Sequence, residues 1–270
     1  MNEQPNPVRI TKLPSIEGYK ENYTLFLADS SLIMGHRLSE WTGHGPSLEQ
    51  DIAITNIALD LIGQARNFYQ YAASTAVETH GGTITEDDLA YLRDAGEFKN
   101  LVITELPNGD WGKSILKIFF FSTWQYFLYQ KLIYSADKQL AAIAEKSLKE
   151  VTYHVKWSSE WVIRLGDGTD ESHQRISKSL DDLWTYTGEM FDQTNYDTEA
   201  IKNSVGVDVS AIKNDWTDKI NSVLDKATLH MRKPDEWMHP GRKEGTHTEH
   251  LGYILAEMQY LHRAFPGCEW

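Results

Sequence analysis

Apolar side chains recur every three or four residues along most of the chain, which is the pattern of amphipathic helices. The clearest case follows the turn at 43–46, and its apolar positions are Leu48, Ile52, Leu59, Ile62, Ala65, Tyr69 and Ala72. Ser47 is the candidate N-cap of this helix, and Gly81 and Gly82 end it. We therefore predict a helix of about 30 residues, about 45 Å long, around which the rest of the chain is organised.

The same periodicity predicts helices along most of the remaining sequence. They are expected at about 19–41, 85–98, 111–136, 137–165, 171–192, 210–229 and 246–264. Residues 194–204 are polar and irregular, residues 205–209 alternate weakly as a strand would, and residues 232–246 have a loop-like composition. Long helices joined by short turns favour an all-α bundle. We expect an N-terminal tail over 1–17 and a single helical domain over 18–270.

Composition narrows the class of protein. The 270-residue chain is 41% hydrophobic with a formal net charge of −13, so it can bury a sizeable core and is poorly suited to non-specific nucleic-acid binding. Its single cysteine, Cys268, excludes an internal disulfide, which fits a reducing compartment. The first residues lack the apolar segment of a signal peptide, and no apolar run reaches the roughly 18 residues of a membrane span. We therefore expect a cytoplasmic protein with no nucleic-acid or membrane partner.

Polar residues run beside the apolar positions of the central helix, and they need partners if they are buried. These residues are Asn56, Asp60, Gln64 and Asn67. The favoured interpretation is hydrogen bonding to neighbouring helices, with Arg37 and Arg66 as candidate counter-charges.

Interior polar residues on long bundle helices also suggest a di-iron carboxylate site. Such a site needs a Glu on each of two helices and a Glu-x-x-His pair on each of the other two. The candidate positions here are Glu40, Asp60, Gly63, Gln125, Glu150, Tyr153 and His154. Gly63 cannot ligate a metal, and Tyr153 stands where the second pair needs a histidine. We therefore expect a degenerate site, with no metal bound by this chain and no catalytic residue in it.

Two true Glu-x-x-His strings occur outside the long helices, at Glu236–His239 and Glu244–His247. Nearby prolines and glycine deny both the long helix that ligation geometry requires. The neighbouring group His247, Glu249 and His250 also has metal-ligand chemistry. A helix start explains this group better, because Thr246 or Thr248 can cap the last helix and Glu249 suits its first turn.

One further segment has residues that could contact an acyl-CoA. It consists of Glu97, Phe98, Lys99 and Asn100. Lysine can pair with phosphate and phenylalanine can pack against an apolar or aromatic group. A solvated helix end is the alternative, since no phosphate-binding motif accompanies these residues.

Four segments in combination resemble the PaaC subunits of phenylacetyl-CoA epoxidases. They are LSEWTGHGPSLEQDIAITNIALDLIGQARNFYQYAA, ELPNGDW, KSLKEVTYHVKWSSEWVIRLGDGT and GRKEGTHTEHLGYILAEMQYLHRAFPG. The resemblance covers nearly the whole chain from about Tyr19, in order and with similar spacing. Any one of the segments alone would be unspecific.

The resemblance implies a ferritin-like long-helix bundle with additional C-terminal helices. It implies a bacterial multicomponent monooxygenase that epoxidises the ring of phenylacetyl-CoA in phenylacetate catabolism. In that family a PaaA-like sister subunit carries the di-iron site, a reductase supplies electrons from NADPH, and a further small subunit is expected. The PaaC-like chain is a non-catalytic, structural partner without its own cofactor. The resemblance also makes acyl-CoA contact plausible at 97–100 and at Thr198, Glu199 and Ala200.

Three hypotheses remain open from the sequence. The first is a structural subunit that supports a catalytic homologue. The second is an atypical di-iron oxygenase that uses Glu40, Asp60, Glu150 and His154. The third is a regulatory module that binds an acyl-CoA.

Overall fold

The computed structural model describes residues 13, 17–230, 237–239, 243, 245–266 and 268. Within this part of the chain all regular structure is helical, and no strand occurs. Its ten α-helices are α1 (Tyr19–Ser39), α2 (Leu48–His80), α3 (Glu86–Tyr91), α4 (Val102–Glu105), α5 (Trp111–Leu132), α6 (Lys138–Gly166), α7 (Asp170–Trp184), α8 (Asn195–Lys202), α9 (Lys213–Lys226) and α10 (Glu249–Ala264).

Four long helices form the frame. The antiparallel pair α1–α2 packs beside the antiparallel pair α5–α6, which is the arrangement of a ferritin-like bundle. Helices α1 and α5 are buried on nearly every side. Helix α5 is mostly apolar, as expected for a buried helix, whereas α1 also buries polar residues such as Asp29, Ser30 and Ser31. Helices α2 and α6 expose one face. The predicted all-α ferritin-like fold is therefore confirmed.

The shorter helices cover the frame. Helices α7 and α9 pack against α5 and α6, and α8 packs against α1. Helix α10 lies on α3, α4 and α1 at the opposite side. None of the described helices is long and apolar enough to cross a membrane.

Helix starts follow local chemistry. Asp110 and Asp137 cap α5 and α6 by accepting backbone N–H bonds in the first turn. Thr248 caps α10, as predicted, by accepting from the His250 backbone N–H. Ser47 precedes α2 as predicted, but its side chain makes no capping bond. Gly81 follows α2 with a positive φ of 73°, which a glycine adopts without strain.

The structure differs from the pattern expected from the sequence at four segments. The helix expected over 85–98 is α3 followed by a 3₁₀ turn at Ala95–Glu97, and the helix expected over 171–192 stops at Trp184. The segment 194–204, expected to be irregular, contains α8, whose capping box joins Thr194 and Asp197. The weakly alternating residues 205–209 form no strand; Val205 and Val207 are buried without ladder partners.

Candidate functional site

Polar side chains from all four long helices meet inside the bundle. This group, the central cluster, consists of Ser31 on α1, Gln64 on α2, Gln125 and Tyr129 on α5, and Glu150 on α6. Gln64 Nε2 donates to Glu150 Oε2 at 2.9 Å, and Gln125 Nε2 donates to the Tyr129 hydroxyl at 3.1 Å. Longer contacts of 3.4 Å join Gln125 Nε2 to Ser31 Oγ and to Gln64 Oε1. The cluster therefore holds one carboxylate among amides and hydroxyls.

The central cluster is buried except at Glu150, which is half-buried, and its hydrogen bonding is incomplete. Burial raises the pKa of Tyr129 well above its usual value, so the phenol stays protonated and donates to Gln64 Oε1 at 3.4 Å. Gln125 Oε1 has no hydrogen-bond partner among the described residues, although the atom is shielded from solvent. Loose, mostly neutral polar groups of this kind do not create a strong electrostatic field.

A second polar contact lies one turn away along α2 and α6. His154 Nε2 is 3.0 Å from Asp60 Oδ2. The imidazole is buried, whereas 36% of the Asp60 side chain is exposed. The Asp60–His154 contact therefore lies at the boundary between the bundle interior and the solvent-exposed side of the two helices.

The line of contact between α2 and α6 is polar along its length. Besides Asp60–His154 and Gln64–Glu150, the Trp161 indole N–H donates to Gln50 Oε1 at 2.9 Å. These three contacts tie one helical pair of the bundle to the other.

The structure separates the seven positions that the sequence grouped as a degenerate di-iron site. Gln125 and Glu150 belong to the central cluster, and Asp60 and His154 pair with each other. Gly63 and Tyr153 lie on the outer surface. The structure does not bring Glu40 to this group, because Glu40 follows the end of α1.

Glu40 has its own partners. It accepts from Arg37 at 2.6 Å and from Asn108 Nδ2 at 3.1 Å. Arg66 pairs with Glu86 at 3.4 Å. Arg37 and Arg66 therefore pair with Glu40 and Glu86, and the expectation that they are counter-charges for the polar residues of α2 is wrong. Asp60 contacts His154 instead, and Gln64 donates to Glu150.

The donor set does not fit a di-iron centre. Two ferrous ions carry a total charge of about +4 and need several carboxylates with two imidazoles on inward faces. The central cluster offers Glu150 alone, and its amide and hydroxyl groups are weak ligands for such a charge. Across the described ranges, no group of three or more His, Cys, Asp or Glu side chains is placed to hold a metal ion.

Three cluster residues were missed as a site by sequence reasoning. Ser31 and Tyr129 were not singled out, and Gln64 was noted only as part of a polar stripe. Gln125 interrupts the apolar run of α5, which is the available signal, whereas Ser31 follows Asp29 and Ser30 and does not stand out. Their convergence depends on the rotation of α1 and α5 about their axes, which periodicity leaves open because both helices are buried on nearly every side.

The predicted group His247, Glu249 and His250 serves to dock the last helix. His247 Nδ1 lies 2.9 Å from Glu105 Oε2, and its Nε2 lies 2.9 Å from the carbonyl oxygen of Phe98. A carboxylate and a carbonyl oxygen both accept hydrogen bonds, so this arrangement favours the doubly protonated imidazolium form of His247. Burial lowers the pKa of His247, but the hydrogen bond and charge of Glu105 outweigh it and raise the pKa above its usual value.

Glu105 is fully buried and fully bonded. Its Oε1 accepts from the Thr248 backbone N–H at 2.6 Å and from the Thr248 hydroxyl at 2.7 Å. Its Oε2 accepts from Asn100 Nδ2 at 3.0 Å as well as from His247. We call these four residues the Glu105 junction. It fastens the start of α10 to α4, which leaves no open position for a metal.

A second buried carboxylate, Asp29 on α1, is bonded as completely. Arg93 pairs with both of its oxygens, the Tyr69 hydroxyl donates at 2.5 Å, and the Lys99 backbone N–H donates at 2.8 Å. Burial lowers the pKa of Arg93, but the Asp29 charge dominates and raises it. These groups are the Asp29 junction, which holds the segment after α3 against α1.

The segments predicted to contact an acyl-CoA converge in space. Lys99 Nζ lies 5.4 Å above the ring of Tyr196 at the start of α8, so residues 97–100 and 198–200 belong to one region. Phe98, Asn100 and Ala200 are fully buried in protein contacts, whereas Glu97, Thr198 and Glu199 are exposed. Acyl-CoA contact here stays a prediction.

Parts of other sequence predictions lie outside the described residues. Glu236 and Glu244 are among them, as are most of the tail over 1–17 and of the loop over 232–246. His239 is described, and its ring stacks on Tyr186 at 5.0 Å.

Comparison with known proteins places the chain in a family. Residues 16–270 match the PaaA_PaaC family, described as phenylacetic acid catabolic protein. The chain is 43% identical over 248 residues to the C subunit of 1,2-phenylacetyl-CoA epoxidase from Escherichia coli strain K12. That alignment covers 92% of this chain and 98% of the relative.

Proposed function

The chain belongs to the phenylacetic acid catabolic protein family, and we propose that within it this protein is the non-catalytic structural subunit of a multicomponent di-iron monooxygenase. The assembled enzyme would epoxidise the ring of phenylacetyl-CoA in phenylacetate catabolism. The di-iron centre would lie in a PaaA-like sister subunit, and a reductase would deliver electrons from NADPH. A further small subunit would complete the assembly.

The observation that carries this proposal is the composition of the central cluster. The interior of the bundle holds Gln64, Gln125 and Ser31 beside a single carboxylate, Glu150, whereas a di-iron centre needs several carboxylates. The similarity to a protein that is named as one subunit of an epoxidase supports the existence of partner subunits. A helical bundle that lacks metal-ligating residues can keep its fold and can still hold a homologous subunit in place.

Metal content tests the proposal directly. Iron should be measured by mass spectrometry on this chain alone and on the complex purified after co-expression with the PaaA-like subunit. We expect iron in the complex only. The isosteric variants Glu150→Gln and Asp60→Asn remove the carboxylates nearest the α2–α6 seam, and we expect them to leave the iron content of the complex unchanged.

The alternative function makes the opposite prediction. An atypical di-iron oxygenase would hold about two irons on the isolated chain. Loss of that iron in Glu150→Gln would move the chemistry to this subunit and overturn the proposal. Asp167→Asn, an exposed carboxylate at the end of α6, is the matched control for surface-bound metal.

A further inference from the structure

One lysine is fully buried in the second turn of α5 without a charged partner. Among the residues that the structure describes, no carboxylate forms an ion pair with Lys117. A buried ammonium ion without such a partner is costly. Burial above all, and then the positive charge of Arg37, lowers the pKa of Lys117 to about 7 against the opposing charge of Glu40. The neutral amine is therefore well populated at neutral pH.

The amine of Lys117 donates both of its hydrogen bonds to the turn that precedes α5. Its Nζ lies 2.7 Å from the carbonyl oxygen of Leu106 and 3.1 Å from Asn108 Oδ1. A neutral amine has two N–H groups and one lone pair, so these two bonds leave the lone pair free. A desolvated, neutral lysine with a free lone pair is an activated nucleophile.

The nearest electrophile is the carboxamide carbon of Asn108. Because Cγ is bonded to Oδ1, it lies no more than about 4.3 Å from Lys117 Nζ. Bonds form from separations of roughly 3–3.5 Å, so a closing movement of about 1 Å or less is sufficient. Rotation about the last bond of the lysine side chain turns the lone pair towards Cγ.

The carboxamide of Asn108 is held in one orientation. Its Nδ2 donates to the carbonyl oxygen of Arg37 at 2.5 Å and to Glu40 Oε2 at 3.1 Å. The backbone carbonyl of Asn108 accepts from Ser114 Oγ at 3.1 Å, and Ser114 Oγ accepts from the Trp41 indole at 2.8 Å. The carboxamide therefore presents its oxygen to an amine and its nitrogen to a carboxylate.

Glu40 is placed to move a proton at the nitrogen that would leave. An amide nitrogen leaves readily only after it gains a proton, which is the task of a general acid–base group. Glu40 contacts that nitrogen through Oε2, while its Oε1 accepts from Arg37 at 2.6 Å. The Glu40 side chain is 47% exposed, which gives released ammonia a path to solvent.

We propose that the folded chain joins Lys117 to Asn108 by an amide bond between Nζ and Cγ. The amine attacks Cγ, one proton passes from Nζ to Nδ2 through Glu40, the Cγ–Nδ2 bond breaks, and ammonia leaves. No electron is transferred and no further reactant is needed. The bond fixes the turn before α5 to the helix, and a cross-link of this kind stabilises a fold by restricting the unfolded chain. This inference is independent of the proposed function.

Mass spectrometry of the purified full-length chain tests the inference. We expect the wild-type chain to be lighter than its sequence by about 17 Da, the mass of one ammonia. Trypsin should release a branched peptide that joins residues 100–113 to residues 114–131 and stays uncleaved after Lys117. Lys117→Met removes the nucleophile and should restore both the full mass and linear peptides. Lys113→Arg changes another lysine of α5 and should keep the branched peptide.

A second variant tests the proton transfer without altering the buried lysine. Glu40→Gln keeps the shape of a partly exposed side chain, so circular dichroism should show a folded protein. We expect it to form the cross-link about a hundredfold more slowly, so that the freshly purified variant is mostly unmodified. Glu171→Gln, at an exposed glutamate that also pairs with an arginine, is the control and should match wild type.

Three results would contradict the inference. Wild-type protein of full mass that trypsin cleaves after Lys117 would show that this lysine only donates hydrogen bonds to the turn. The same loss of mass confined to a linear peptide would show that Asn108 had instead closed a succinimide on the nitrogen of Gly109. A branched peptide that forms at the wild-type rate in Glu40→Gln would overturn the role assigned to Glu40.

Discussion

The central cluster and the Asp29 junction lie in the same bundle, yet their polar atoms are satisfied to different degrees. Asp29 receives donors from a guanidinium, a phenol and a backbone N–H, all at short distance. Gln125 has contacts of 3.1–3.4 Å and an amide oxygen with no partner among the described residues. Asp29 therefore has both a charged partner and a complete set of hydrogen bonds, whereas Gln125 in the central cluster has neither.

This difference shows that buried polar groups occur in two kinds of environment within one fold. The Asp29 and Glu105 junctions fasten loops and the last helix to the frame, and there each carboxylate is compensated. The central cluster is built by side chains from all four long helices, and Glu150 is its one carboxylate. The bundle therefore places compensated charge where it fastens its parts together and mostly neutral groups at its centre.

We expect the largest loss of stability when the Asp29 junction loses the positive charge that compensates Asp29. Arg93→Ala would leave Asp29 buried beside only a phenol and an amide. Removing one partner of a buried ion pair costs about 3–5 kcal/mol of unfolding free energy. We expect a loss of that size in urea unfolding followed by circular dichroism.

The matched control for this change is Arg175→Ala. It removes an exposed pair with Glu171 on α7, for which we expect a loss below about 0.5 kcal/mol. If Arg93→Ala were as mild as the control, the Asp29 junction would not be a structural support, and the comparison would fail.

The Glu105 junction adds a second test, because the stability that it contributes should depend on pH. The folded protein raises the pKa of His247 above 6.5, so the contribution of the imidazolium is fully present below pH 6.5. It is lost as the pH rises through the raised pKa, because a neutral ring leaves one acceptor facing a lone pair. We expect the stability advantage of wild type over His247→Gln, about 1–3 kcal/mol at pH 5.5, to shrink towards pH 9.

Urea unfolding of both proteins at each pH measures this effect. His44→Gln, at an exposed position in the turn before α2, is the control and should show no such trend. An advantage that grows with pH would show that His247 is neutral in the folded protein and that its assignment as an imidazolium is wrong.

Long helices were predictable from the sequence, but their rotation was not. The spacing of Leu48, Ile52 and Leu59 correctly indicated α2, because the stripe has helical period. The same residues turned out to be exposed, since a period identifies a face without stating what covers it.

Short elements and polar partners depended on contacts that are distant in sequence. Thr194 and Asp197 already had the capping-box spacing that starts α8, but the polar composition around them obscured it. Glu105 and His247 are 142 residues apart, so no local pattern could pair them. The sequence therefore grouped Gly63 and Tyr153 with interior positions, whereas the structure places both on the outer surface.

The smallest expected effect is at the central cluster itself. Gln125→Leu replaces an amide by an apolar group of similar size, and its Oε1 has no partner to lose among the described residues. The hydrogen bonds it gives up are long and neutral, so the lost contacts and the relieved desolvation nearly cancel. We expect the unfolding free energy to change by less than about 1 kcal/mol in either direction.

The same urea measurement then decides what the cluster is. A loss comparable to that of Arg93→Ala would mean that Gln125 holds together a charged or ligand-binding centre, and the contrast with the Asp29 junction would disappear. Gln125→Glu is the companion variant, because it restores a carboxylate opposite Gln64 without changing shape. A buried, unpaired carboxylate is costly, so this variant should be less stable than Gln125→Leu at neutral pH and approach it as acid protonates the new side chain.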